Sequence, residues 1–318
     1  MVFTNRQGHL QYVKTLARTT TRLFRAAAPA LALMAGAAAT PAAADSIILA
    51  PFLPDIQIQE RDVARMVSLG GSCNRCELSG RNLNGATFTG ATFINATLVG
   101  ANLRGAELVA SNFTGSDFTR ADLRGVSLVG ANFSSTVFQR ADLSGAEAQG
   151  AVFVRANMQE ADLSDAEFGG VNFNGANLVR ADFNDSELFG ATLANVRATG
   201  AKFRDADLSG ANLASGDFTN ADFREADLTG ARLTGARFDL ANFSGADLDR
   251  ADIRGVNLSR VRGLTQNQVS RACGDGATRL PGRMTVRSCT TTRLRIIAAP
   301  PTPPVPPAPP YAIATRDR

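Results

Sequence analysis

Four cysteines (Cys73, Cys76, Cys273 and Cys289) and two series of carboxylates are the residues of this 318-residue chain whose types and spacing could do chemistry. In Cys73-Asn74-Arg75-Cys76 the spacing suits redox catalysis, but the surrounding βαβ pattern is missing and no His follows Cys76 to complete a c-type haem attachment. That leaves a structural disulfide or buried small residues. The carboxylates recur every twenty residues, with Glu147, Glu167, Glu187, Asp207, Asp227 and Asp247 in one series and Asp165, Asp185, Asp205 and Glu225 in the other. Aligned oxygens of this kind suit Ca²⁺ or a basic partner, and equally an ordinary solvated face. The cation ridge expected on the first reading is Asp165, Glu167, Asp185, Glu187, Asp205, Asp207, Glu225 and Asp227.

Catalysis is poorly supplied. The single histidine is His9, so the rest of the chain lacks the commonest general base and metal ligand. After Asp45 there is no Gly-x-Ser-x-Gly elbow and no Gly-Lys-Ser/Thr phosphate loop. The expectation is a protein that is not an enzyme and carries no cofactor.

The elements that position these side chains follow from a period of five. From Leu78 to Leu258 every fifth residue falls in one register of 37 positions, of which 18 are Leu and 15 Phe, with Met158, Ile253, Ala148 and Ala198 as the remainder. Two residues before each, Ala occurs 26 times. A period of five fits neither a helix nor a strand, so the chain must turn every five residues. If each pentad is one side of a square coil, the large and small residues point inward and three polar residues face water. Stacked coils then pair their backbones at about 4.8 Å, and glycines such as Gly85, Gly105, Gly125 and Gly145 suit the corners.

Segments such as Ala121-Asp122-Leu123-Arg124-Gly125 and Ala226-Asp227-Leu228-Thr229-Gly230 resemble the pentapeptide-repeat family, over roughly residues 73–260. The resemblance implies an all-β fold, a right-handed quadrilateral parallel β-helix with four pentads per coil. The repeat would make about nine coils and a rod on the order of 45 Å, closed by short helical caps.

Residues twenty apart then share a face. Phe93, Phe113, Phe133, Phe153 and Phe173 form one expected ladder and Phe183, Phe203, Phe223 and Phe243 another on the opposite wall, each facing Leu or Ile. Large against small is the volume compensation that a close-packed interior needs. Charge also sorts by face: over residues 77–260 the net of −7 divides as −3 for the face centred on Leu83 and Leu103, −7 for the next, and +2 and +1 for the others.

The ends complete the organisation. Residues 1–44 combine Arg6, Lys14, Arg18, Arg22 and Arg25, no acid, an apolar run and Ala42-Ala43-Ala44, which reads as a signal peptide cleaved between Ala44 and Asp45. The mature product is expected in the periplasm or secreted, with no transmembrane segment. Residues 45–72 form a lead and cap, with helical character from Arg61 to Leu69, and residues 261–292 form the second cap, with Thr265 as helix N-cap. The latter resembles the cysteine-containing caps of exported family members. Sequence proximity pairs Cys73 with Cys76 and Cys273 with Cys289; the longer loop would contribute about 3 kcal/mol in the chain-entropy model. Residues 293–318 are a proline-rich tail. Residues 261–318 hold nine Arg and two Asp, so end-to-end or head-to-tail self-association through an acidic face is one expectation. The function expected is a rigid structural or protein-interaction scaffold with an unidentified protein partner. The alternative implied by the family is DNA mimicry toward gyrase or a related topoisomerase. Export and abundant Arg argue against it, and nucleic acid itself is not an expected partner.

Overall fold

The computed structural model describes residues 71–289. The expected signal peptide with its Ala44–Asp45 site, nearly all of the 45–72 lead and the 293–318 tail lie outside the described residues.

The all-β quadrilateral parallel β-helix expected from the period is the fold observed. Parallel bridges join residue i to residue i+20 from Ser72↔Thr92 to Asn242↔Arg262, so one circuit is twenty residues. Each bridge is a pair of backbone bonds, such as Leu83 N–H to Asn102 O at 2.7 Å and Asn102 N–H to Arg81 O at 2.9 Å. Within each side a tight turn follows, as where Ala86 N–H donates to Leu83 O at 3.0 Å.

The turn fixes the pattern of residues. Its last position takes a left-handed φ from Arg75 to Gly255, at Gly105 (+62°) and Gly125 (+59°) but also at Arg120 (+57°), Ala110 (+53°) and Glu160 (+59°). Glycine is therefore favoured at the corner without being required. The Asp or Asn that precedes the large residue turns its side chain back to accept the N–H two residues on, as Asp142 does from Ser144 at 3.1 Å and Asn132 from Ser134 at 3.0 Å. This local satisfaction of a turn amide explains much of the Asp and Asn content.

The core is one continuous column in which the large and small registers are buried. Phe93 and Phe113 stack at 4.6 Å with planes 3° apart, and Phe183 and Phe203 at 5.1 Å and 7°. Both expected ladders are present. Shorter ladders, Phe118 on Phe138 and Phe218 on Phe238, occupy a third wall and meet the first two edge-on. Polar exceptions in the small register bond to carbonyls, as Ser116 Oγ does to Phe93 O and Thr136 Oγ1 to Phe113 O. Gly216 is small because the Phe218 ring occupies the space a Cβ would take, one coil above Ala198.

Helix α1 (Gln266–Arg271) closes the rod. Thr265 caps it in a reciprocal box with Gln268, and the buried Gln268 amide donates to Phe243 O and Ala246 O, both at 2.8 Å. The circuit continues beyond the repeat with longer steps, Asp252 pairing with Cys273 and Asn257 with Arg279. Strand β1 (Cys273–Gly274) then pairs in parallel with β2 (Arg287–Ser288). Disulfides join Cys73 to Cys76 and Cys273 to Cys289. No helix among the described residues is long and apolar enough to cross a membrane.

Candidate functional site

The twenty-residue circuit stacks Glu147, Glu167, Glu187, Asp207, Asp227 and Asp247 as successive bridge partners, a ladder of carboxylates on one wall. Asp165, Asp185, Asp205 and Glu225 sit in the left-handed corner conformation alongside it, with φ between 55° and 57°. Of Asp122, Asp142, Asp162, Asp182 and Asp222 on the neighbouring wall, all but Asp162 are paired: Arg124 with Asp122 and Asp142, Lys202 with Asp182 at 2.7 Å, and Arg224 with Asp222. On the ladder, among the described residues, only Asp247 has an ion-pair partner, Arg271 at 3.2 Å, and on the corner only Asp205, with Arg204 at 3.3 Å. Most of the −7 charge on this wall is therefore left to solvent.

The carboxylates do not converge. Among the described residues the one group of three or more ligand atoms lying within 4.8 Å of one another is Asp252, Cys273 and Cys289, whose sulfurs are joined. Asp207 and Asp227 each commit an oxygen to the N–H two residues on, at 2.8 Å to Ser209 and Thr229. The eight residues of the expected cation ridge thus form two parallel rows, with no closed cage among them.

Two features escaped the sequence reading. Glu160 lies between Arg140 and Arg180 on another corner, 2.8 Å from each. Arg140 beside it holds its carboxyl below the usual range. This corner borders a groove of about 200 Å³ lined by Thr119, Arg120, Gln139, Arg140, Gln159 and Glu160, which the twenty-residue spacing of Arg120, Arg140, Glu160 and Arg180 could have located. The other is Phe189, 49% exposed on the acidic wall, with its ring over Gly169. A lone Phe outside the repeat register carries no periodic signal.

Comparison with known proteins agrees with this geometry. A profile of pentapeptide repeats matches in eight copies, over residues 72–108, 186–224, 201–239 and 221–260, and a profile of a pentapeptide repeat region matches residues 116–193. The chain belongs to the pentapeptide-repeat family. Among solved structures it is similar to HetL, a pentapeptide repeat protein involved in heterocyst differentiation regulation from the cyanobacterium Nostoc sp. strain PCC 7120, with 24% identity over 70% of this chain and 91% of that one and a TM-score of 0.31. It is also similar to QnrB1, a plasmid-mediated fluoroquinolone resistance protein, with 21% identity, 65% and 92% coverage and a TM-score of 0.36. A pentapeptide repeat protein from the Arabidopsis thaliana thylakoid lumen gives 27% identity, 41% and 69% coverage and a TM-score of 0.13. A search of curated proteins returns no match.

Proposed function

We propose that this protein is a non-enzymatic, exported scaffold whose acidic wall docks a partner protein through a basic surface. The observation that carries the reading is the ladder from Glu147 to Asp227, whose carboxylates have no ion-pair partner among the described residues, while Asp122, Asp142, Asp182 and Asp222 of the neighbouring wall do. A bonded solenoid holds the backbones that carry these charges at a spacing of about 4.8 Å, so a complementary surface meets them with no backbone ordering cost. Two disulfides support an oxidising compartment, the periplasm or the exterior. An open convex wall offers no cleft to exclude water or shift a catalytic group, which supports the non-enzymatic reading.

Docking is favoured over Ca²⁺ binding because the carboxylates run in rows and partly serve turn amides. Affinity capture from extracts with the full chain tests the reading, beside a variant carrying Glu147→Gln, Glu167→Gln, Glu187→Gln, Asp207→Asn and Asp227→Asn. The expected outcome is a basic protein retained by the wild type, released by salt and absent from the variant. Equal capture by both chains would overturn the docking face. A melting midpoint raised by Ca²⁺ in the wild type alone would favour the metal instead.

A further inference from the structure

The corner column that carries Glu160 shows how this rod holds a carboxylate, and one coil step away it leaves the same place empty. Arg120, Arg140, Glu160 and Arg180 follow one another every twenty residues, all with φ between 56° and 59°, so their Cβ atoms leave the rod in the same direction. The coils are locked together here by Arg120 N–H to Gln139 O at 2.9 Å and Arg140 N–H to Gln159 O at 3.0 Å, at a coil spacing of about 4.8 Å. Glu160 lies between two cations, its carboxylate 2.8 Å from Arg140 Nε and 2.8 Å from an outer nitrogen of Arg180.

Arg120 has no such partner. Its neighbours in the column are Gly100 and Arg140, and it enters no ion pair among the described residues. Acids on the two walls that meet at this corner are committed elsewhere. Asp117 and Asp162 accept from the N–H and hydroxyl of Thr119 and Ser164, and Asp122 and Asp142 pair with Arg124. The groove of about 200 Å³ lies at this point, with Thr119, Gln139 and Gln159 on its wall and Arg120, Arg140 and Glu160 along its edge. Arg140 gives its Nε to Glu160 and keeps its outer nitrogens.

We propose that this groove binds a hydroxylated carboxylate of the sugar-acid class. The carboxylate sits between Arg120 and Arg140 as Glu160 sits between Arg140 and Arg180, and the hydroxyls meet the Gln139 and Gln159 amides. Charge selects an anion, since the column has three cations against one carboxylate that two of them already hold. The guanidinium fork matches a planar carboxylate. The lining selects hydroxyls: it contains no apolar side chain, and each amide offers both a donor and an acceptor. Size selects a single ring, because the groove is smaller than the roughly 300 Å³ at which drug-sized sites begin. Residues 141–145, one whole wall, separate the groove from the Glu147 ladder, so this site is independent of docking on the acidic wall. Both guanidiniums are open to water, which sets the affinity in the millimolar range.

NMR titration of the nitrogen-labelled full chain at constant ionic strength tests this, with D-galacturonate, neutral D-galactose, inorganic sulfate and an oligogalacturonate as probes. Galacturonate should shift the amides of Arg120, Gln139 and Arg140 with a Kd of about 1 mM, and galactose and sulfate should bind at least about fivefold more weakly. Arg120→Asn, a residue the same column accepts at Asn220 with φ +57°, should weaken galacturonate about tenfold with the melting midpoint unchanged. Gln139→Val, matching Val99 and Val179 in its own column, should erase the preference for galacturonate over acetate. Arg260→Gln, in the corner column but outside the groove, should change nothing. Equal affinity per residue for monomer and oligomer would assign a free sugar acid, and tighter oligomer binding that is lost in Arg120→Asn would assign an acidic polysaccharide. Galactose or sulfate binding as well as galacturonate would overturn the inference, and so would undiminished binding by Arg120→Asn.

Discussion

Phe113 and Phe133, twenty residues apart in sequence, stack with centroids 5.4 Å apart and ring planes 8° apart, and both are fully buried. Phe133 in turn stacks on Phe153 at 5.2 Å and meets Phe118 and Phe138 edge-on. Offset and edge-on aromatic contacts add to area burial, so Phe133 is coupled to four neighbouring rings.

Phe133→Ala should therefore cost about 3–5 kcal/mol, near the top of the range because rigid coils on either side cannot collapse into the space. Phe133→Leu, which other coils tolerate at the same depth, should cost less than half as much. Urea denaturation monitored by far-UV circular dichroism checks both.

The corner conformation leads to a stabilising substitution. Ala110 adopts φ +53° at an exposed corner where neighbouring coils have Gly90 and Gly130. Ala110→Gly should raise stability by up to about 1 kcal/mol, since relief of the left-handed strain exceeds the added unfolded-state entropy. The reverse change, Gly130→Ala, should lower it by a similar amount. Paired thermal melts read the sign.

Gln268 joins the cap to the last complete coil. It is 6% exposed and donates to Phe243 O and Ala246 O while its carbonyl oxygen accepts from Thr265 N–H. Gln268→Ala should cost about 2–3 kcal/mol by leaving buried carbonyls without donors, against about 1 kcal/mol for Thr265→Ala, a simple cap loss. Hydrogen exchange should show the loss confined first to α1 and the coil beneath it.

Acid should weaken the rod through its paired carboxylates. The Arg254 side chain beside Asp252 holds that carboxyl below its ordinary value, and Arg124 does the same for Asp122. A lowered folded value means the stabilisation is present above the unfolded value near pH 4 and is lost as pH falls through the folded value. Asp252→Asn should flatten the decline of stability below about pH 4, by about 0.5 kcal/mol for this partly exposed pair. Stability against pH for wild type and variant checks the slope.

Much of this architecture could be read from residue types because the repeat makes the same physical demand 37 times: an inward Leu or Phe, an inward Ala, a turn. The Phe ladders followed from spacing alone, and Thr265 from its place before a short helical run. The features that were not legible depend on one-off contacts. Nothing in the repeat marks Gly169, which is not a corner position, until Phe189 is seen lying on it. The longer steps from Asp252 to Cys273 and from Asn257 to Arg279 break the period, so the continuation of the circuit into the cap has no sequence signature. The cation ridge looked like a site because spacing aligns carboxylates. Spacing does not say whether their oxygens converge, and turn amides take some of them.

The acidic wall and the aromatic ladders both depend on residues twenty apart lying directly above one another. Two double variants test that register most directly. Asn112→Cys with Asn132→Cys places thiols on bridge partners, within the Cα separation a disulfide accepts; Asn112→Cys with Val137→Cys places them on adjoining walls. The account expects the first pair to cross-link within one chain under mild oxidation and the second to remain reduced. Cross-linking of the second pair in preference to the first would contradict it.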